Sequence, residues 1–384
     1  MAKNSVLFFV LLFCASCSSI KKLPSSAVVA ISNLKLLDVY DIPYNYQYNN
    51  TTVGGLSSID YNYKTGDYYM ICDDRSTINP ARFYTVNINI DNDLIDTIIF
   101  TAQTFLSNKK KELYPNNRKD PQNVPDPEAL RYNSKKNEFI WSSEGERIVN
   151  TKDTILTNPS INVIDKNGIL KSSYVLPQNL VMQSIEKGPR QNGVLEGMTF
   201  AENNKYLFVN VEEPLYEDGP RAETVPNKAF VRLFKFDVAT QKNIAQYAYE
   251  LDPIAYKSNP IGAFKINGIP DILYMGNNKM LVIERSYSTG RLACTIKLFL
   301  ADLTNATDIS ENRSLIKNNQ FTPATKKLLL NMDSLGIFTD NIEGVTFGPR
   351  LKNNHQTLLF IADNNFNSFQ RSQVMLFEII PYAQ

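Results

Sequence analysis

Val194-Leu195-Glu196-Gly197-Met198-Thr199-Phe200, followed after a polar turn by Leu207-Phe208-Val209-Asn210-Val211-Glu212-Glu213, reads as two short apolar strands, one opened by a carboxylate and the other closed by one. In an antiparallel hairpin the start of one strand and the end of the next lie together, so the acids share an edge. Four further stretches follow the same pattern. Gly54-Gly55-Leu56-Ser57-Ser58-Ile59 pairs with Tyr68-Tyr69-Met70-Ile71-Cys72-Asp73-Asp74, and Glu128-Ala129-Leu130-Arg131-Tyr132 with Phe139-Ile140-Trp141-Ser142-Ser143-Glu144. Pro270-Asp271-Ile272-Leu273-Tyr274 pairs with Met280-Leu281-Val282-Ile283-Glu284, and Glu343-Gly344-Val345-Thr346-Phe347 with Leu359-Phe360-Ile361-Ala362-Asp363. The anchors at 54, 128, 196, 270 and 343 are 74, 68, 74 and 73 residues apart. Such regularity over nearly the whole chain marks a repeat architecture.

Two more strand-like runs follow each of the first four copies, at 82–88 and 96–100, 161–165 and 170–175, 231–237 and 244–249, and 295–300 and 326–330. The fifth copy has only a third strand, 374–379, while an unpaired strand at 34–41 precedes the first copy. The pattern predicts an all-β fold, a β-propeller of five four-stranded blades whose ring is closed by the N-terminal strand, leaving no open edge. A sixth, degenerate blade would have to lie in 106–125 or 174–193, neither of which carries a four-strand pattern.

Composition agrees with strands: 20 Tyr and 21 Phe, short apolar runs and Asn-rich turns, with 43% hydrophobic residues among 384. With 40 basic against 39 acidic residues, no chain-wide attraction to nucleic acid or to an anionic membrane is expected. A monomer is the expected state. Residues 1–16 read as an export signal, with Lys3 at its positive start, an apolar run over 6–12 and small residues before Cys17. That run is far below the roughly 20 residues a spanning helix needs. Cys14-Ala15-Ser16-Cys17 resembles a bacterial lipobox, which makes Cys17 the lipidated residue, 17–32 a tether and 33–384 a single domain. Lys21-Lys22 stands where surface-exported lipoproteins often carry acids, so the expected place is the periplasmic face of the outer membrane, with membrane contact through the lipid alone. Cys72 and Cys294 fall in different repeats and read as buried free thiols.

In a propeller the first strand of each blade lines the central channel. The pattern therefore predicts one ring made of Glu128, Glu196, Asp271 and Glu343 with Asp73, Asp74, Glu144, Glu212, Glu213, Glu284 and Asp363. Carboxylates so crowded raise one another's pKa unless cations intervene. Arg75, Arg147 and Arg285 follow the strand-two acids, Asn364-Asn365 follows Asp363, and a hard divalent cation such as Ca²⁺ suits carboxylate and amide oxygens. The alternative is structural, with acids bonding the amides or arginines of neighbouring blades. The only histidine, His355, falls in a turn and reads as a solvated loop residue, which argues against His-dependent triads and His-rich zinc sites. No Gly-x-Ser-x-Gly elbow or phosphate-cradling Gly-rich loop is present. Water activated by a metal and a carboxylate base is the hydrolytic mechanism left.

Asp126-Pro127-Glu128-Ala129-Leu130, Trp141-Ser142-Ser143-Glu144, Leu195-Glu196-Gly197-Met198, Val282-Ile283-Glu284-Arg285, Ile342-Glu343-Gly344-Val345 and Ala362-Asp363-Asn364-Asn365-Phe366, in this order, resemble the phytase-like family known as esterase-like activity of phytase. The resemblance runs from about Gly54 to Phe377 and implies a secreted propeller that hydrolyses phosphate or carboxylic esters. The Asp-Ala-x-Asp-Asp-Pro-Ala-x-Trp signature of β-propeller phytases is absent, so the expectation is a calcium-dependent esterase or phosphoesterase rather than a phytase as such. On that expectation Glu196, Glu343 and Glu128 are catalytic. Asp73, Asp74, Glu144, Glu212, Glu284, Asp363 and Asn364 hold Ca²⁺, while Arg75, Arg147, Arg285 and Arg221 meet an anionic small-molecule ester. The competing expectation is a non-catalytic propeller whose acidic face binds a glycan or an envelope protein.

Overall fold

A strand sandwiched between neighbouring sheets has no solvent face, so its sequence runs without the usual alternation of apolar and polar residues. Glu138–Ser143 and Gln356–Asp363 have this character and are buried at every position in the computed structural model, which describes residues 31–382. Outer strands behave differently: Leu94–Phe105 buries little besides Ile95 and Phe100.

The strands form five antiparallel blades. Blade 1 is Leu56–Tyr61, Asp67–Cys72, Arg82–Asp91 and Leu94–Phe105; blade 2 is Pro127–Asn133, Glu138–Ser143, Ser160–Ile164 and Leu170–Ser173. Blade 3 is Leu195–Ala201, Tyr206–Val211, Phe230–Asp237 and Lys242–Glu250; blade 4 is Ile272–Gly276, Lys279–Ser288, Thr295–Asp302 and Thr325–Asn331. Blade 5 is Asn341–Arg350, Gln356–Asp363 and Ser372–Ile380, completed by Asn33–Ile42, which runs antiparallel to Ser372–Ile380 with Asn33 opposite Ile380 and Ile42 opposite Ser372. The ring is thus the expected five-bladed propeller, closed by its N-terminal strand. The spans 106–125 and 174–193 hold turns, isolated bridges and one short 3₁₀ turn, Gln178–Leu180, so no sixth blade exists among the described residues. The export signal, Cys17 and most of the tether lie outside those residues.

Asn-rich turns close the hairpins because Asn tolerates the left-handed region: Asn277 and Asn278, with φ of 48° and 56°, form a two-residue turn of the kind that matches strand twist. Aromatic rings wedge neighbouring blades together, as in Tyr69 on Tyr132 and Phe208 on Tyr274, with centroids 5.3 and 6.3 Å apart. Cys72 and Cys294 are buried and unpaired, as expected. His355 is half-buried rather than solvated, because its Nδ1 lies 2.7 Å from the Glu378 carboxylate on the adjacent strand.

One buried ion pair ties the innermost strands together. Arg131 of blade 2 donates to the Ser58 hydroxyl (2.6 Å) and the Ile59 carbonyl (3.2 Å) of blade 1, and to the Met198 carbonyl (2.6 Å) of blade 3. Its Nη2 donates to both oxygens of Asp271 at 2.7 Å in blade 4, and Asp271 accepts from the Val345 amide (2.9 Å) of blade 5. All five blades thus meet at two side chains. Close approach there requires glycine: a Cβ on Gly197 would stand 2.5 Å from the Asp271 Cα, and one on Gly344 2.9 Å from the Ile59 amide nitrogen.

Candidate functional site

Above this pair, the first strands break register against the second in four blades. The shifts fall between Leu56 and Ser58, Pro127 and Leu130, Leu195 and Met198, and Ile342 and Gly344. A β-bulge re-aims the side chain it carries. The bulged segments contain Ser57, Glu128, Glu196 and Glu343, and the three glutamates line a cavity of about 550 Å³. Asp73, Glu144 and Glu212, each just beyond the end of a second strand, line the same cavity together with Arg285. Blade 4 has no bulge at this end, since Ile272 pairs with Val282 in step with Leu273 and Leu281. Its acid, Asp271, therefore serves Arg131 instead of the cavity.

Burial sets the electrostatics. It pushes the Glu196 carboxyl well above the usual range, with Glu144 and Glu212 adding to the rise. Glu128 is raised by burial and then by Glu196 and Asp126, and Asp73 by burial and Glu343. Glu343 is pushed up to about 8 by burial and Asp363, against the pull of Arg285. Burial also raises Glu144, which Glu196 and the Val194 amide (2.6 Å) counter by hydrogen bonding to it. Arg285 pairs with Glu212 and with Glu343 (2.6 Å), which hold it protonated despite its burial. Two arginines, Arg285 and Arg291, cannot neutralise the seven carboxyl residues of the cavity lining, so protons or a cation must offset the rest.

Asp126, Glu128 and Glu144 can each offer an oxygen within 4.8 Å of the others, a buried group able to hold a metal ion. The donors are all carboxylate oxygens, which suits a hard divalent cation. Asp363 Oδ2, outside that group, is also buried without a hydrogen-bond partner. Arg75 pairs with Glu146 and lies 3.6 Å from Asp126, balancing part of that charge from outside the cavity.

The model of the phytase-like family, described as esterase-like activity of phytase, matches residues 51–366. The chain belongs to the phytase-like family. No curated protein matches it in sequence. Among solved structures it is similar to an endo-arabinase from Bacteroides thetaiotaomicron, with 11% identity, a TM-score of 0.43, and coverage of 86% of this chain and 95% of that one. It is also similar to the soluble aldose sugar dehydrogenase from Escherichia coli, with 8% identity, a TM-score of 0.38, and coverage of 91% and 99%.

In this phytase-like chain the expected single ring divides. Glu128, Glu196, Glu343, Asp73, Glu144, Glu212 and Arg285 come together in the cavity. Asp363 is buried beside it and Asn364 spends its Oδ1 on the Gly55 and Phe366 amides (3.2 and 3.1 Å). Asp74 is not in the ring, because it pairs with buried Arg82 (3.0 Å) and accepts from the turn amides of Thr77, Ile78 and Asn79. Glu284 points away from the axis to Tyr249 (2.8 Å), Asn267 (2.8 Å) and Lys326 (2.6 Å). Glu213 is engaged by Arg221 at 2.8 Å, and Arg147 by the Gln183 carbonyl (2.9 Å) and the Tyr216 ring. Alternation explains the split: in Asp73-Asp74 and Glu284-Arg285 successive side chains take opposite sides, so only one of each pair enters the cavity. The sequence pattern does not single out Asp126, Asp340 or, apart from Arg285, the blade 4 residues of the cavity wall, such as Ile266 and Tyr287. Asp126 stood in the Asp-Pro-Glu motif, whereas Asp340 carried no signal of its own.

Proposed function

We propose that the protein is a metal-dependent hydrolase of phosphate or carboxylic esters that works in the acid-lined cavity. The observation that carries this reading is a three-carboxylate oxygen cluster beside a cavity lined by glutamates whose carboxyl pKa values burial raises, in a member of the phytase-like family. Asp126, Glu128 and Glu144 would hold a divalent cation, with Ca²⁺ the best match to oxygen-only donors; when bound it would supply Lewis acidity at the ester. Water would attack the acyl or phosphoryl centre as the ester oxygen leaves; Glu196, raised by burial, is suited to give that leaving oxygen its proton, and the proton released by the attacking water restores the Glu196 carboxyl. Arg285, already paired with Glu212 and Glu343, is placed to offset charge developing at the reacting centre in the transition state.

We also propose, from sequence, that the chain is exported and anchored through Cys17 in the cell envelope, facing the periplasm, and acts as a monomer on small esters. The test has two arms. Thermal unfolding after chelation and then in millimolar Ca²⁺ or Mg²⁺ is expected to show a rise specific to Ca²⁺, because a ligand bound only by the native state stabilises it. Glu196→Gln is expected to abolish turnover of 4-nitrophenyl esters with the melting temperature retained. Unchanged turnover would remove Glu196 from the mechanism; no turnover of any ester by the wild type would favour the binding-module alternative.

A further inference from the structure

Blade 4 differs from the other blades in what it raises above the acids. Its second strand runs 10 residues, against 6 in blades 1, 2 and 3 and 8 in blade 5. The extension pairs with an added strand, Lys265–Gly268, from Lys265 opposite Ser288 to Gly268 opposite Arg285. Tyr287 on the extension, Ile266 on the added strand, and Phe264 and Leu292 in the connections beside them all line the cavity. Phe369, between the second and third strands of blade 5, lines it too.

These side chains face water to an unusual degree: Phe264 is 62% exposed, Leu292 88% and Phe369 88%. The wall is nonetheless held in place. The Phe264 carbonyl accepts from the Thr289 amide at 2.9 Å, and the Phe264 ring centroid lies 6.2 Å from that of Tyr287. Large apolar side chains gathered at the mouth of a polar cavity mark a contact surface for ligand. Charge narrows the ligand. The cavity lining holds seven carboxyl residues and two arginines. Arg285 is engaged by Glu212 and Glu343, and Arg291 is stacked at 3.6 Å on the Tyr256 ring. A polyanion needs several free cations, and these walls present apolar groups in their place.

We infer that the cavity takes an ester whose non-reacting part is an uncharged apolar group, acyl or aryl, and that the wall of Phe264, Tyr287, Leu292 and Phe369 determines this specificity. The inference rests on the ester-hydrolase reading above. It adds that amphiphilic esters are preferred to highly phosphorylated ones.

The test compares the full chain with its Phe264→Ser/Leu292→Ser variant in millimolar Ca²⁺, using 4-nitrophenyl acetate, butyrate and octanoate and inositol hexakisphosphate. Both side chains are exposed, so the variant is expected to fold, which its melting temperature checks. Wild-type kcat/KM is expected to rise by about tenfold or more from acetate to octanoate, and the octanoate-to-acetate ratio to fall towards one in the variant. A flat wild-type series, an unchanged ratio in the variant, or faster turnover of inositol hexakisphosphate than of the octanoate would overturn the inference. If no ester is cleaved, the hydrolase reading fails separately, and calorimetric binding of octanoyl-4-nitroanilide decides the wall. Binding to the wild type that the variant loses keeps the apolar subsite; no binding to the wild type overturns it.

Discussion

Replacing Arg131 by Met is the perturbation that most directly tests how this propeller is held together. The guanidinium is almost fully buried and bonds the innermost strands of blades 1 and 3 as well as Asp271 of blade 4. Met keeps much of the volume but leaves Asp271, itself 1% exposed, with only the Ile272 and Val345 amides at 2.9 Å. Removing one partner of a buried ion pair typically costs about 3–5 kcal/mol, because the other charge stays buried and uncompensated. Burial already pushes the Asp271 carboxyl up, against the pull of Arg131. Without that pull its folded-state pKa rises further above the unfolded value. A carboxyl raised in this way costs nothing below its unfolded pKa and most above its folded one. The deficit of Arg131→Met should therefore shrink as pH falls towards 4, near the ordinary value of 3.8. Urea unfolding of wild type, Arg131→Met and Arg131→Met/Asp271→Asn across pH gives the measurement. The double variant should recover part of the loss at pH 7. A single-variant deficit below about 1 kcal/mol, the top of the range for exposed pairs, would refute the hub as a source of stability. A deficit indifferent to both pH and Asp271→Asn would refute its electrostatic origin.

Three other outcomes follow from the same structure. With chelator present, the urea midpoint should fall as pH rises from about 4.5 to about 8, the window between the ordinary and folded-state pKa of Glu343, and Glu343→Gln should flatten part of that slope. Gly197→Ala should destabilise by about 1–3 kcal/mol through overpacking against Asp271, read as a lower unfolding midpoint. Glu128→Gln should remove the Ca²⁺-dependent rise in melting temperature, whereas Glu284→Gln should lower the melting temperature through its lost contact with Lys326 and leave that rise intact.

Much of the fold was legible because its causes are local and repeated. Apolar second strands, Asn turns and an acid at each hairpin edge recur at near-constant spacing, and the spare strand at 34–41 could pair only with the incomplete last blade. The site was legible in part. Glu128, Glu196 and Glu343 carry the same motif and share the same bulge, so they meet as the repeat implies. Asp74, Glu284 and Asp271 fit the sequence pattern equally well, yet pair with Arg82, Lys326 and Arg131. The extended second strand of blade 4 was missed because its end, Arg285-Ser286-Tyr287-Ser288, is polar; backbone pairing with 265–268 and 295–297 sustains it instead of an apolar run.

By itself the sequence determined the blade count, the order of strands, the closure of the ring and the residue types available at one end of the channel. These follow from short-range periodicity, which every copy of the repeat states again. Only the tertiary structure decided which acids share a space, which are neutralised by a buried arginine, and where apolar side chains stand over the acids. Those outcomes depend on a one-residue register shift in the first strands of four blades, its absence from the same end of blade 4, and contacts between residues as far apart as Arg131 and Asp271, 140 positions along the chain. A bulge leaves no periodic trace, and a partner that distant is chosen only when the ring closes.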